Sequence, residues 1–185
     1  MTVGDSHADV GGSSRIGMGK RGGWWAVVAG MTVVGVLEAV VLHFLATALL
    51  PTVAARIADA VVGGATLLVL LAAASPLWTV IRVDNARVRA RFGWLAAVDI
   101  PRTEIGKAER FRPTPQRPAE LGLDFDADSG LLSFIRSPGS PLVRIDFRAE
   151  LPARTRGTRR VRARAVLLST SDAERLLAAL PTAAR

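Results

Sequence analysis

The sequence has no cysteine, and its only histidines are His7 and His43. Without cysteine there is no disulfide, no thiolate metal site and no thiol nucleophile. Two histidines far apart in the chain leave little for a histidine-rich metal site or for serine–histidine catalysis. There is no phosphate-cradling glycine loop, no nucleophile elbow and no paired-carboxylate arrangement. These absences point away from an enzyme and away from a resident metal or cofactor.

Acidic residues are also in deficit. The net charge is +8 over 185 residues, and it is unevenly placed. Residues 1–81 hold four basic and four acidic side chains, while the chain from Arg82 onward holds 20 basic and 12 acidic ones. The excess is almost entirely arginine, and it calls for an acidic partner. Anionic lipid headgroups and nucleic acid are the two classes to weigh.

Charge is scarcest of all between Trp24 and Val80. From Trp24 to Leu50, 27 residues include only Glu38 and His43 as ionisable groups, and Ala60–Val80 carries none. A hydrocarbon core about 30 Å thick needs roughly 20 helical residues. Backbone amides in lipid must be satisfied within the segment, so two membrane-spanning helices are expected, at 24–50 and 57–80. Pro51, which lacks an amide hydrogen, suits the turn between them. The first run is too long for a signal peptide, and its leader carries Asp5 and Asp9.

Arg15, Lys20 and Arg21 precede the hairpin, and Arg82, Arg87, Arg89 and Arg91 follow it, whereas its middle offers only Arg56. The positive-inside rule therefore places both termini in the cytoplasm, at a plasma (inner) membrane. Trp24, Trp25 and Trp78 fall at the cytoplasmic ends, where indole rings favour the interface.

Within the hairpin, His43 and Asp59 lie at similar depth and are placed to meet across it. Glu38 lies deeper, near Gly63 and Gly64. Glu38 and His43 are roughly 140° apart around the helix and do not share a face. Ionisable residues in a membrane are costly, so Glu38, His43 and Asp59 form a candidate intramembrane polar site. Small residues four apart, Gly35/Ala39 and Ala60/Gly64, would let helices approach closely.

Residues 1–23 are rich in glycine, serine and charge and read as a disordered cytoplasmic leader. From residue 81 to 185 the pattern changes to the two-residue alternation of half-buried strands. Val88, Ala90 and Phe92 alternate with Arg87, Arg89 and Arg91; Val161, Ala163 and Ala165 alternate with Arg160, Arg162 and Arg164. Six or seven short strands are expected, with Arg154–Arg160 as a basic connection. A helix over 171–180 closes the chain, with Ser171 and Glu174 as a capping box and Pro181 as its stop. Asp124, Asp126, Asp128 and Gly130 suggest a calcium loop, but Ser129 and Ile135 occupy the positions that need glycine and a bidentate glutamate. A strand end with acidic residues facing water explains the run.

The stretch IRVDNARVRARFGWLAAVDIPRTEIGKAE, Ile81–Glu109, resembles bacterial pleckstrin-homology-like domains that follow a membrane hairpin. Phe92-Gly93, Ile100-Pro101 and Ile105 carry the likeness, and SDAERLLAAL is similar to the closing helix of such domains. LEAVVLHFL is similar to a span of two-helix actinobacterial membrane proteins. The resemblance covers roughly residues 24–112 and 160–180. It implies a partly open barrel capped by a helix, used for binding and not for chemistry.

The expectation is an α+β membrane protein: a two-helix transmembrane hairpin followed by a small antiparallel β domain with a C-terminal helix. The arginine stripes Arg87, Arg89, Arg91 and Arg160, Arg162, Arg164 are the candidate contacts for anionic lipid or for a membrane partner. A homo-oligomer would be needed for the rival reading, in which Glu38, His43 and Asp59 serve transport or proton or substrate binding. Nucleic acid is disfavoured, because the basic segments lack interleaved aromatics and a tether restricts access.

Overall fold

The computed structural model describes residues 14–114 and 118–180 of the 185. Two long helices follow a short N-terminal strand, α1 over Gly22–Leu49 and α2 over Thr52–Ala74. Both are long and apolar enough to cross a membrane, with mean hydropathy 2.1, and their side chains are largely uncovered by the rest of the chain. The turn between them is only Leu50-Pro51. Pro51 has no hydrogen to donate, so it fits the N-cap of α2, where its carbonyl accepts from the Ala55 amide at 2.9 Å. The second helix therefore starts five residues earlier than expected, and Arg56 and Asp59 lie in helix.

A turn this short forces antiparallel neighbours. Gly35 faces Thr66, and Trp24 Nε1 donates to the Ala73 carbonyl at 2.7 Å. The contact face of α2 carries Ala55, Val62, Thr66, Leu70 and Ala73, and Ala60 and Gly64 point outward. Ala60 and Gly64 therefore take no part in the contact between the two helices of the hairpin. Asp59 faces His43 on the other leg, and Ala60 lies one residue, about 100°, further round the helix.

Among the described residues nine strands lie below the hairpin. They are β1 Ser14–Gly17, β2 Val80–Val83, β3 Arg87–Phe92, β4 Ala96–Pro101, β5 Ile105–Phe111, β6 Gly122–Asp126, β7 Leu131–Ile135, β8 Leu142–Thr155 and β9 Arg159–Ser169. They form one sheet in the order β1-β2-β3-β4-β8-β9-β7-β6, with β5 also on β8. The bend comes from β8. Its first half pairs with β5 and its last residues with β4, while β9 runs along its other side. Where β8 changes partner, the β8–β9 register slips between Asp146 and Leu151, a bulge that turns the strand. The sheet curls round a core built on Phe92, Phe134, Ile81, Ile100, Ile145 and Leu168.

Three expectations are corrected here. The sheet is not wholly antiparallel, because β9 inserts between β8 and β7 and runs parallel to β7. Strand β8 continues to Thr155, so the Arg154–Arg160 connection shrinks to a turn at 156–158, with Arg156 at φ +48° and Gly157 at φ +78°. The leader is structured from Ser14 on; residues 1–13 lie outside the described residues. Strand β1 pairs with β2, and Met18 is fully buried. Hydrogen bonds hold the end of β1 and the segment after it, among them Ser171 N to Gly17 O, Ser169 Oγ to Met18 O, and Lys20 N to Ser140 Oγ, each 2.8 Å. Gly17 and Gly19, read from sequence as part of a disordered leader, sit close against Ser171 and Ser140.

The closing helix α3 spans Ala173–Ala178, shorter than the expected 171–180. Asp172, not Ser171, caps it, accepting from the Arg175 amide at 3.0 Å. Ser171 is taken up by the Gly17 carbonyl. Ala173, Leu176 and Leu180 still close the core as the apolar spacing requires.

Hairpin and sheet share one core. Trp24 and Val28 of α1 and Leu77 after α2 are buried among sheet residues, and Trp24 meets Phe92 edge-on at 5.1 Å. Gly93 sits at φ +57° against Ser75 and Pro76; a Cβ there would overlap Ser75 Oγ and come within 2.7 Å of Pro76 N. The Ser75 hydroxyl accepts from the Trp94 amide at 2.9 Å, and Thr79 Oγ1 from the Gly93 amide at 3.1 Å. The β3–β4 turn is therefore fastened to the foot of α2.

Candidate anion-binding face at the foot of the hairpin

Alternation along β3 sends Val88, Ala90 and Phe92 inward and Arg87, Arg89 and Arg91 outward. The same rule on β9 turns Arg160, Arg162 and Arg164 outward and buries Ala163 and Ala165. Some seventy residues separate these stripes in the chain. The strand order joins them on the outer face of one sheet. One cross-strand row runs Arg91–Ala97–Arg154–Arg160 over β3, β4, β8 and β9. A second runs Arg15–Arg82–Arg89–Asp99 over β1 to β4.

Arg15, Arg82 and Arg154 are not among the candidate contacts read from the sequence. Arg15 sits in the supposed leader and Arg154 in the supposed connection. Only the pairing of β1 with β2 and the length of β8 bring them onto this face. A hint was present for Arg154, since Ala153 and Thr155 alternate with it as buried residues.

Cross-strand like charges repel, so neutralising groups matter. Arg89 Nε lies 3.4 Å from Asp99 Oδ1, an ion-pair distance without hydrogen-bond geometry. Arg164 pairs with Glu150 at 2.9 Å. Among the described residues Arg15, Arg82, Arg91, Arg154, Arg160 and Arg162 form no ion pair. Asp84, in the β2–β3 turn, is committed elsewhere. Its carboxylate accepts from the Arg87 and Ala86 amides at 2.7 and 2.9 Å, and these bonds hold its pKa below the usual carboxylate value. The Arg89 and Arg87 charges add to that lowering.

The end of this face nearest the hairpin carries two exposed indoles, Trp78 at 67% and Trp94 at 61%. The β8–β9 turn lies beside them, with the Gly157 amide donating to the Leu95 carbonyl at 2.8 Å. Arg91, Arg154, Arg156, Arg159 and Arg160 cluster on these two turns and the adjoining strand ends.

Within the hairpin, His43 Nδ1 and Asp59 Oδ2 lie 2.8 Å apart, as their matched depth requires. Glu38 does not join them. It lies on the outer face of α1 among Val34, Leu37, Val41 and Leu42. The acidic run at Asp124–Asp128 is the end of β6 and the start of the turn at 127–130, as a strand end with acidic residues facing water requires. Asp126 accepts from the Asp128 amide at 3.0 Å and from Ser129 Oγ at 2.5 Å, and these bonds, the hydroxyl's first, lower its pKa. Comparison with family models, curated proteins and solved structures returns no match to this chain.

Proposed function

We propose that the chain is a membrane-anchored, non-enzymatic binding module of the bacterial pleckstrin-homology-like kind. Its hairpin spans the plasma membrane with both termini in the cytoplasm. Its arginine face docks on anionic headgroups of the inner leaflet, or on an acidic membrane partner. The observation that carries this is the row Arg91–Arg154–Arg160, placed with exposed Trp94 at the end of the sheet fastened to the foot of α2. The uncovered apolar surface of both helices supports insertion, because exposed apolar patches of this size are rare in water. Trp78 and Trp94 would lie at the interface, where indoles are favoured, with arginines among headgroup phosphates.

The native chain has no cysteine, so Thr158→Cys gives a single labelling site on the β8–β9 turn. With the full chain in nanodiscs, a spin label there should gain lipid contact as phosphatidylglycerol is added and lose it as salt is raised. Each arginine near such a surface contributes about 1 kcal/mol, so Arg154→Glu with Arg160→Glu should weaken docking at least tenfold. Equal lipid contact in neutral and anionic nanodiscs would overturn the proposal.

The 2.8 Å His43–Asp59 pair favours a second reading, a polar site inside the membrane that an oligomer completes. Outward-facing Glu38 would then meet another copy, since ionisable residues in lipid ordinarily face a bundle interior. Glu38→Gln should shift the assembly state measured by analytical ultracentrifugation in detergent; an unchanged sedimentation profile rejects this reading.

A further inference from the structure

Between the foot of α2 and the outer face of β2–β3 lies a cleft of about 390 Å³. That volume falls in the range of small-ligand sites, about 300–1,000 Å³. Leu71 and Ser75 form the wall on the hairpin side. Trp78 and Trp94 flank the opening, and Arg82, Arg89 and Arg91 supply the charge. None of the lining residues is acidic.

Arg82 and Arg89 are direct cross-strand partners, and Arg91 follows two residues on, on the same face. The pairing holds two guanidinium-bearing side chains together against their repulsion. Asp99 approaches only Arg89, and Arg89 Nε is buried without a hydrogen-bond partner among the described residues. Such a group lacks an acceptor. An anion seated between Arg82, Arg89 and Arg91 would supply one and remove the repulsion. Guanidinium forks match the tetrahedral oxygens of phosphate.

The other walls say which phosphate. Leu71 belongs to the apolar run of α2, so one side of the cleft continues directly onto the lipid-facing helix surface. Exposed indoles flank it at the depth where headgroups meet acyl chains. Free phosphate has no use for these apolar walls; a lipid uses both.

We propose that this cleft binds a single anionic phospholipid, its phosphate held by Arg82, Arg89 and Arg91 and its acyl chains laid along Leu71 and Trp78. This deepens the docking function above and rests on it for the placement of α2 in a membrane. It differs in asking for one saturable lipid per chain, where docking asks only for a charged surface.

The test uses the full chain in neutral detergent, with bound lipid counted by native mass spectrometry. One phosphatidylglycerol per chain should be retained at concentrations where phosphatidylcholine is not. Glycerol phosphate, which carries the same headgroup chemistry without chains, should bind at least tenfold more weakly. Arg82→Ala and Arg89→Ala should each weaken retention at least tenfold, about 1.4 kcal/mol, since each removes a charge-assisted hydrogen bond to the phosphate. Arg89→Lys should recover part of the loss, and Arg175→Ala, on α3, should change nothing.

Equal retention of the two lipids would overturn the proposal, as would retention unaffected by Arg82→Ala and Arg89→Ala. Glycerol phosphate binding as tightly as the lipid would assign the cleft to a soluble phosphate ligand and overturn the lipid. Should the Thr158 label still dock on anionic nanodiscs while the cleft variants retain lipid normally, the cleft fails and surface docking stands.

Discussion

Expressed from Arg82 onward, the domain is expected to show no cooperative thermal transition and no near-ultraviolet circular dichroism. The sequence pattern places its first residue near 81, and a fragment begun there looks sensible. The packing says otherwise. Ile16 and Met18 before α1, Trp24 and Val28 on α1, and Leu77 and Ile81 after α2 are all buried in the core of the sheet. Burying each such side chain contributes roughly 1.5–3 kcal/mol. Losing six of them removes roughly 9–18 kcal/mol from a fold whose total stability would be about 5–15 kcal/mol. Strand β2 would also lose β1 on one edge and its own residues Val80 and Ile81.

A shortened chain separates this cause from a general need for the membrane. Residues 14–29 joined to 70–180 by a short glycine–serine linker keep every one of those six side chains. Antiparallel helices pack about 8–10 Å apart, which a linker of about four residues spans. This chain should recover a cooperative transition in mild detergent. A well-dispersed amide spectrum from the Arg82 fragment would show that the hairpin feet are dispensable and would sink the argument.

The contrast between the fragment and the linked chain also shows what the sequence made legible. Helix length and charge scarcity are local, so the hairpin, the turn at Pro51 and the meeting of His43 with Asp59 could be read directly. The alternation on β3 and β9 gave the outward arginines for the same reason. The missing parts depend on pairing between distant residues. Nothing local in Ser14–Gly17 marks a strand, because four residues with Ile16 as the one large apolar side chain carry too little apolar period; β1 exists because the edge of β2 is open to it. The parallel β7–β9 pair is invisible for a related reason. Alternation tells which face a strand buries but not which neighbour it takes. The basic face follows the same logic: its stripes were legible, whereas their union, with Arg15, Arg82 and Arg154 added, needed the strand order.

Arg136→Met is expected to lower stability by about 3–5 kcal/mol, because it leaves three carbonyls without their donor at about 1–3 kcal/mol each, offset in part by relief of a desolvated charge. Arg136 stands after β7, 3% exposed, with no carboxylate partner among the described residues. Its guanidinium donates to the carbonyls of Pro76 and Leu77, each at 3.2 Å, and to that of Gly19. Its own amide donates to Ser169 Oγ at 3.0 Å. One side chain thus ties together the segment after β1, the foot of α2 and the sheet. Burial lowers its pKa, with Arg21 nearby adding to the effect, but a guanidinium starts so far above neutrality that the cation persists. Two effects oppose each other on substitution. Methionine relieves the desolvation of the charge. It also strands three carbonyls, two of them at the negative end of a helix, at about 1–3 kcal/mol each. The carbonyls should win, because those of Pro76 and Leu77 are buried together with the guanidinium. Arg136→Lys, which keeps the charge but loses the fork, should fall between wild type and Arg136→Met. Thermal unfolding of the full chain in detergent measures the effect; a midpoint for Arg136→Met within about 3 °C of wild type, less than 1–2 kcal/mol for a chain this size, would mean the junction does not depend on this clamp. If it does, the docking proposed above requires that the same variant loosen the Thr158 label from anionic nanodiscs without touching any residue of the arginine face, because the hairpin foot is what holds that face in place.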